Sequence, residues 1–181
     1  MDFVSRAGEK LQFALKEFDI NPSGLVISDF GSSTGGFVDC WLKNGAKKVY
    51  SVDTSYGELA WKLRNDPSVI VMERTNAMHV SLPQKMDIIS VDTGWTKQEK
   101  IIPNALKYLK PKGFIISLIK PHYELGIAKP SMVDIEKALK KVKKDIENAG
   151  GVVEKVVESP IVGKRAANKE YLVLIKSNNL A

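Results

Sequence analysis

Two groups of residues have the types and spacing to do chemistry. One is a glycine-rich run with a carboxylate at its mouth, Asp29-Phe30-Gly31-Ser32-Ser33-Thr34-Gly35-Gly36-Phe37. The other is a set of charged side chains, Asp53, Asp92 and Lys120, each closing a short apolar run. The glycine order is Gly31-x-x-x-Gly35-Gly36. It is not the G-x-G-x-x-G that brings backbone against a pyrophosphate, and no Gly-Lys-Ser/Thr closes it as in a P-loop. A carboxylate at Asp29 repels a pyrophosphate but attracts an ammonium group. An amino-acid zwitterion satisfies both halves of the loop, with its ammonium at Asp29 and its carboxylate at the backbone N–H groups of the helix start. S-adenosylmethionine carries such a tail. Its ribose hydroxyls also suit a carboxylate at Asp53, although dinucleotide folds use an acidic residue there too. The pattern D-x-G-x-x-x-G-G therefore points to an S-adenosylmethionine site; the competing reading is a structural turn.

Asp92 and Lys120 bear on what would receive the methyl group. Methylation at cytosine C5 needs a cysteine nucleophile, and Cys40 falls inside the helix that follows the loop. Methylation of base amino groups commonly uses an Asp/Asn-Pro-Pro-aromatic turn, whereas Asp92 is followed by Thr93-Gly94-Trp95. A hydroxyl acceptor remains, a weak nucleophile that needs a base or strong orientation. Lys120 is the candidate base. An ammonium has no lone pair, so a basic Lys120 must lose its proton. Partial burial and a second cation, for which Lys10 is the candidate, would lower its pKa, while Asp92 and Glu170 orient the lysines and limit the shift. Nothing in the sequence itself brings Lys10 and Glu170 to the same place. Trp95 suits stacking on a target base, covering an adenine, or a packed position. His79 and His122 are isolated and receive no role.

These residues must be held by regular elements. Leu11, Ala14, Leu15 and Phe18 make a helical stripe over about 5–18. Strands are expected at 25–30, 48–52, 69–72, 87–91, 114–119, 152–158 and 171–176. Helices are expected at 36–43, about 57–64, about 98–109 and along a long segment before Gly150, with a turn at 110–113. Strong β-α alternation argues for a doubly wound, mostly parallel seven-stranded sheet. The last two strands lack a helix between them, which suits an antiparallel hairpin and one reversed strand at an edge. In such sheets ligands bind beyond the carboxyl ends of the strands, where the 29–36 loop, Asp53, Asn76, Asp92 and Lys120 all fall.

The chain has 181 residues, 44% hydrophobic and 27% charged, ordinary values for one soluble globular domain. No apolar run is long enough to span a bilayer, and the N-terminus lacks the pattern of a signal peptide, so a cytoplasmic setting is expected. One cysteine excludes an intramolecular disulfide and a cysteine-clustered metal site, and no metal is expected. The net charge of +6 favours polyanionic partners weakly. Much of the lysine has a plainer place: Lys137, Lys140, Lys141 and Lys144 fall opposite the apolar face of Ile135, Leu139, Val142, Ile146 and Ala149.

Five stretches carry a family likeness: Val4-Ser5-Arg6-Ala7-Gly8-Glu9-Lys10-Leu11, the glycine loop, "AKKVYSVDTSYGELAWKLRNDPSVIVMERTN" at 46–76, "IKPHYELG" at 119–126 and "ESPIVGKRAANKEYLVLIK" at 158–176. Together they resemble the TlyA family, hemolysin-named ribosomal RNA methyltransferases of the wider FtsJ-like group. The resemblance implies a Rossmann-like class I methyltransferase domain over 1–181, with a helix in 1–20 contributing to the active site. It implies S-adenosylmethionine as cofactor and the ribose 2′-hydroxyl of ribosomal RNA as acceptor. The Lys-Asp-Lys-Glu tetrad of the wider group falls on Lys10, Asp92, Lys120 and Glu170. The matching cofactor positions are Asp29, Gly31, Ser33, Thr34, Gly35, Gly36, Phe37, Asp53, Asn76, near the adenine, and Asp92. Arg6, Lys164, Arg165 and Lys169 flank this site and suit RNA phosphates.

The chain departs from the family pattern in three places. It begins where an S4-type RNA-binding domain would end, so the expectation is a catalytic domain alone or one that depends on a partner for RNA affinity. Thr93-Gly94-Trp95-Thr96 replaces a Val-Ser-Phe-type segment, and the loop after Gly126 is short. The rival expectations are a non-catalytic RNA-binding or cofactor-sensing protein that keeps the pocket, and a membrane-active hemolysin.

Overall fold

A computed structural model of the chain describes residues 2–163 and 167–178. Its centre is one seven-stranded sheet in the order β3-β2-β1-β4-β5-β7-β6. The strands are β1 (Val26–Phe30), β2 (Lys48–Val52), β3 (Val69–Met72), β4 (Met86–Val91), β5 (Leu109–Ile119), β6 (Gly151–Glu158) and β7 (Tyr171–Ser177). The first five pair in parallel, and β7 runs antiparallel to both β5 and β6. The expected reversal therefore sits on this flank, with β7 one place in and β6 outside it.

The strands read as continuous apolar runs because both faces of the sheet are covered. Alternation of side chains then sorts neighbours into two cores. Ile27, Val49, Ile88, Ile116 and Leu172 pack with helices α1 (Ala7–Phe18) and α2 (Gly36–Lys43). Phe30, Val52, Ile89, Ile115 and Val173 pack with α4 (Gln98–Lys107) and α6 (Met132–Asn148). Helix α1 is closed by Asp19 in the left-handed region, whose N–H reaches the carbonyls of Leu15 and Lys16. Helix α6 opens on a capping box between Ser131 and Asp134, and its lysine face is turned outward.

Three elements differ from expectation. Helix α3 is only Trp61–Arg64. Gly57 holds φ +78 and donates its N–H to the Glu73 carboxylate, so the preceding segment stays a loop. The turn expected at 110–113 is absorbed into β5 as an irregularity in its pairing with β4, where Lys110 meets Asp87 at 2.7 Å. A short helix, α5 (Pro121–Leu125), follows β5 directly; five residues are too few to show a periodic pattern. Among the described residues no helix is long and apolar enough to cross a membrane.

Candidate active site

The parallel register carries Asp29, Asp53, Asp92 and Lys120 to the same edge of the sheet. Asp29 lies inside β1, under the glycine loop rather than at an open mouth, in register with Ser51 and Ser90 on the two neighbouring strands. It is 1% exposed. Its Oδ1 accepts a hydrogen bond from Ser90 Oγ at 2.6 Å, and Ser90 Oγ accepts one from Trp41 Nε1 at 2.9 Å. Its Oδ2 is buried with no protein partner. Burial raises its pKa to about 7, against the Ser90 hydrogen bond and with help from the Asp92 and Asp53 charges.

The loop needs its glycines for contact as well as for backbone shape. Gly31 holds φ +89, and a Cβ there would lie 2.6 Å from the Asp92 carbonyl oxygen. A Cβ on Gly36 would lie 2.2 Å from Ser5 Oγ and 2.9 Å from the Ala7 Cβ. The absence of a side chain at Gly36 thus lets the N-terminal segment and α1 close over the start of α2. Asp53 holds the loop from the other side: its Oδ2 accepts the Ser33 N–H at 2.7 Å and its Oδ1 the Ser55 N–H at 2.8 Å.

Three cavities adjoin here. One, of about 290 Å³, is bordered by Asp29, the loop residues Gly31, Ser33, Thr34, Gly36 and Phe37, and Asp92. A second, of about 210 Å³, runs between Asp53 and Asn76. The third and largest, of about 760 Å³, is bordered by Lys10, Lys120, Glu170, Arg6 and Trp95. Of the loop residues named from the sequence, Gly35 stands apart: it is buried against Leu59 and Leu63 and shapes the turn.

Two lysine–carboxylate pairs stand here, with Lys10, Lys120 and Glu170 on the wall of the largest cavity and Asp92 on the walls of the two smaller ones. Lys120 Nζ lies 2.5 Å from Asp92 Oδ1, and Lys10 Nζ lies 2.5 Å from Glu170 Oε2. All four side chains are at most 17% exposed. The fold thereby joins α1 to the start of β7, an approach invisible along the chain. The charge state of Lys120 corrects the sequence reading, which had its pKa lowered. Burial does press it down, but the Asp92 carboxylate, and behind it Glu170, outweigh burial, so the pKa of Lys120 is raised. Lys120 is a charged ammonium in the free protein.

Other residues take places that the sequence did not reveal. His122 borders the large cavity; burial lowers its pKa, Glu170 acts against this, and Lys120 adds to it. Tyr123 of α5 stacks on Trp95. Ser90 and Trp41, which support Asp29, carried no signal beyond being a polar and an aromatic residue in apolar runs. Among the expected phosphate contacts, Arg6 borders the large cavity, whereas Lys169 pairs with Glu158 at 3.1 Å. Lys164 and Arg165 lie outside the described residues.

The FtsJ-like methyltransferase family matches residues 3–176. Hemolysin A of Brachyspira hyodysenteriae is 39% identical over 181 residues, covering 94% of this chain and 75% of that protein. The 16S/23S rRNA (cytidine-2′-O)-methyltransferase TlyA of Mycobacterium tuberculosis is 38% identical over 127 residues, covering 68% of this chain and 47% of that protein. The chain thus spans about half the length of that relative. A solved structure of a candidate hemolysin from Streptococcus thermophilus superposes with a TM-score of 0.94 at 32% identity, over 99% of this chain and 68% of that one.

Proposed function

Because this chain belongs to the FtsJ-like methyltransferase family, with TlyA and hemolysin A among its relatives, we propose that it methylates a ribose 2′-hydroxyl of RNA from S-adenosylmethionine, with ribosomal RNA as the substrate. The observation that carries the reading is the pair of lysine–carboxylate contacts, Lys120–Asp92 and Lys10–Glu170, which bring Lys10, Lys120 and Glu170 to the wall of one cavity while Asp92 borders the adjoining cavity at the glycine loop.

The residues around the loop fit the proposed cofactor. The unpartnered Oδ2 of Asp29 is a buried acceptor suited to an ammonium group. Gly31, lacking a side chain, lets the loop close on the Asp92 backbone while it borders the cavity above Asp29. Asp53 retains acceptor capacity beside its two backbone contacts, enough for ribose hydroxyls. Asn76 borders the same cavity and suits the adenine edge. When bound, the cofactor supplies an electrophilic methyl group on a sulfonium. Lys120 faces the acceptor side as an ammonium, so its first task is to donate a hydrogen bond that fixes the hydroxyl oxygen, and the proton which that oxygen releases as it takes the methyl group passes to solvent in the open cavity. Asp92 holds Lys120 in place, while Lys10 and Glu170 hold the far wall. Orientation of this kind supplies much of such a rate enhancement.

Naked 16S and 23S ribosomal RNA and intact ribosomal subunits, incubated with the protein and methyl-labelled cofactor, test the reading. The expected result is label on a ribose 2′-oxygen at discrete positions, lost in Lys120→Ala. No labelled ribose on any of these substrates overturns it.

A further inference from the structure

Glu124 is a buried carboxylate that the proposed reaction leaves unused. It is 3% exposed, and with Pro121 it is one of the two buried residues of α5. Its backbone N–H donates to the Lys120 carbonyl at 3.2 Å, so it sits one turn beyond the lysine that meets the acceptor. Its side chain reaches away from that turn. Oε1 accepts the backbone N–H of Gln98, the first residue of α4, at 2.9 Å. Gln98 Oε1 in turn accepts the Ser117 hydroxyl of β5 at 2.6 Å. The chain leaving β4 runs from Asp92 to Gln98, and the chain leaving β5 runs from Lys120 to Glu124. The Lys120–Asp92 pair joins the near ends of these two segments, and the Glu124–Gln98 contact joins their far ends. The two ties close a ring.

A carboxylate at the start of α4 has a plain use as a helix cap, but two observations go beyond it. First-turn N–H groups are ordinarily met by Ser, Thr, Asp or Asn at the N-cap itself. Here the N-cap is Lys97, which makes no side-chain cap, and the acceptor comes from 26 positions along the chain. A local cap would hold α4; only a remote one also holds α5, and a helix of five residues is too short to hold itself. The other oxygen of Glu124, Oε2, is buried without a partner. Burial raises the pKa of this carboxyl, against the Gln98 hydrogen bond and the Lys141 and Lys97 charges and with help from Asp145. A half-satisfied buried carboxylate costs stability, so stability alone does not account for it. We propose that Glu124 is a positioning residue for the methyl transfer: anchored on α4, it fixes the turn that presents Lys120 to the acceptor hydroxyl. This rests on the ribose-methylation reading above.

The test compares wild type, Glu124→Met and Glu124→Gln in melting temperature, cofactor Kd, and kcat and KM on naked ribosomal RNA. Methionine has a similar volume and leaves no buried charge, so the variant folds but cannot accept the Gln98 N–H. Glutamine keeps an acceptor oxygen in the same place. In Glu124→Met, kcat falls roughly 10- to 100-fold, as for a displacement of about 1 Å at the reacting groups, while KM and the cofactor Kd hold. Glu124→Gln recovers most of the loss. The Lys120 ammonium, followed by NMR with isotope-labelled lysine and assigned by its absence in Lys120→Arg, moves in Glu124→Met and keeps its wild-type shift in Glu124→Gln. A wild-type kcat in Glu124→Met overturns the proposal, as does an equal loss in Glu124→Gln or a loss in KM or cofactor Kd that matches the loss in kcat. A Glu124→Met variant that does not fold assigns the contact to the fold alone and overturns it too. A wild type that methylates no RNA removes the ribose-methylation reading instead. The Lys120 resonance then decides the positioning by itself, and an unmoved resonance in Glu124→Met overturns it.

Discussion

Asp29 and Ser90 are hydrogen-bonded across adjacent parallel strands, with the Ser90 hydroxyl 2.6 Å from Oδ1 of a carboxylate whose other oxygen is buried without a partner. This carboxylate is held ready for a cation, and the free protein bears the cost of holding it.

That cost has a pH signature. The pKa of Asp29 is raised from 3.8 to about 7 by burial. A raised carboxylate pKa means that the folded state binds more protons than the unfolded chain between those values, so stability falls as pH rises from about 4 to about 7. The penalty above that window is on the order of 4 kcal/mol. Asp29→Asn removes it. Thermal melts in the free state should show the variant more stable than wild type at pH 8 and nearly equal at low pH. Calorimetry should show the opposite order for cofactor binding, with affinity in the variant almost lost. A variant that is less stable than wild type at pH 8 would contradict the assignment.

This pair also marks how far the sequence could be read. The alternation of apolar runs with helical stripes reveals the sheet, because a strand covered on both faces must be apolar throughout. Ile88 and Ile89 show the principle, packing into opposite cores. The carboxylates and Lys120 at strand ends were legible for the same reason, since parallel strands deliver their ends to one edge. Burial was not legible. Asp29 reads as a charge at a loop mouth, but it lies within β1 beneath the loop. The sign of the Lys120 shift depends on a 2.5 Å contact with Asp92 that spacing does not disclose. Helix α5, with Tyr123, is too short for any periodicity, and Lys10 meets Glu170 only because α1 crosses to β7.

Gly36 tests whether the N-terminal segment belongs to the site. In Gly36→Ala the added Cβ would overlap Ser5 and Ala7, so the start of α1 must move. Overpacking of this kind costs about 1–3 kcal/mol. Methyl transfer should fall by more than cofactor affinity does, because α1 carries Lys10 to the acceptor cavity. Paired turnover and binding measurements decide this; equal losses would confine the role of Gly36 to the cofactor loop.

The raised pKa of Lys120 makes a prediction about rate. A lysine acting as a neutral base with a lowered pKa gives a rate that climbs through the neutral range. A lysine held charged by Asp92 gives a kcat that is flat between about pH 7 and 9 and changes only above the ordinary lysine range near 10.4. Lys120→Ala should abolish methyl transfer and leave the cofactor Kd nearly intact. A climbing limb near neutrality would return Lys120 to the role of a base.

Lys10 and Glu170 separate architecture from chemistry. Their side chains are 12% and 4% exposed, so removing one leaves the other as an almost buried, unpaired charge. Such losses are typically about 3–5 kcal/mol, and Lys10→Met and Glu170→Leu should each lower the melting temperature sharply. The double replacement removes both charges together and should recover most of that stability, since apolar residues of similar volume often substitute for a buried pair. If the pair only braces α1 against β7, turnover returns with stability. If it shapes the field at the acceptor hydroxyl, the double variant folds well, binds cofactor normally and still transfers methyl groups at least about 100-fold more slowly, the lower end of what a positioned proton-handling group contributes. The second outcome is expected, because Glu170 acts electrostatically on Lys120 and Lys10, Glu170 and Lys120 border the same cavity. Melting curves together with single-turnover rates on RNA distinguish the two.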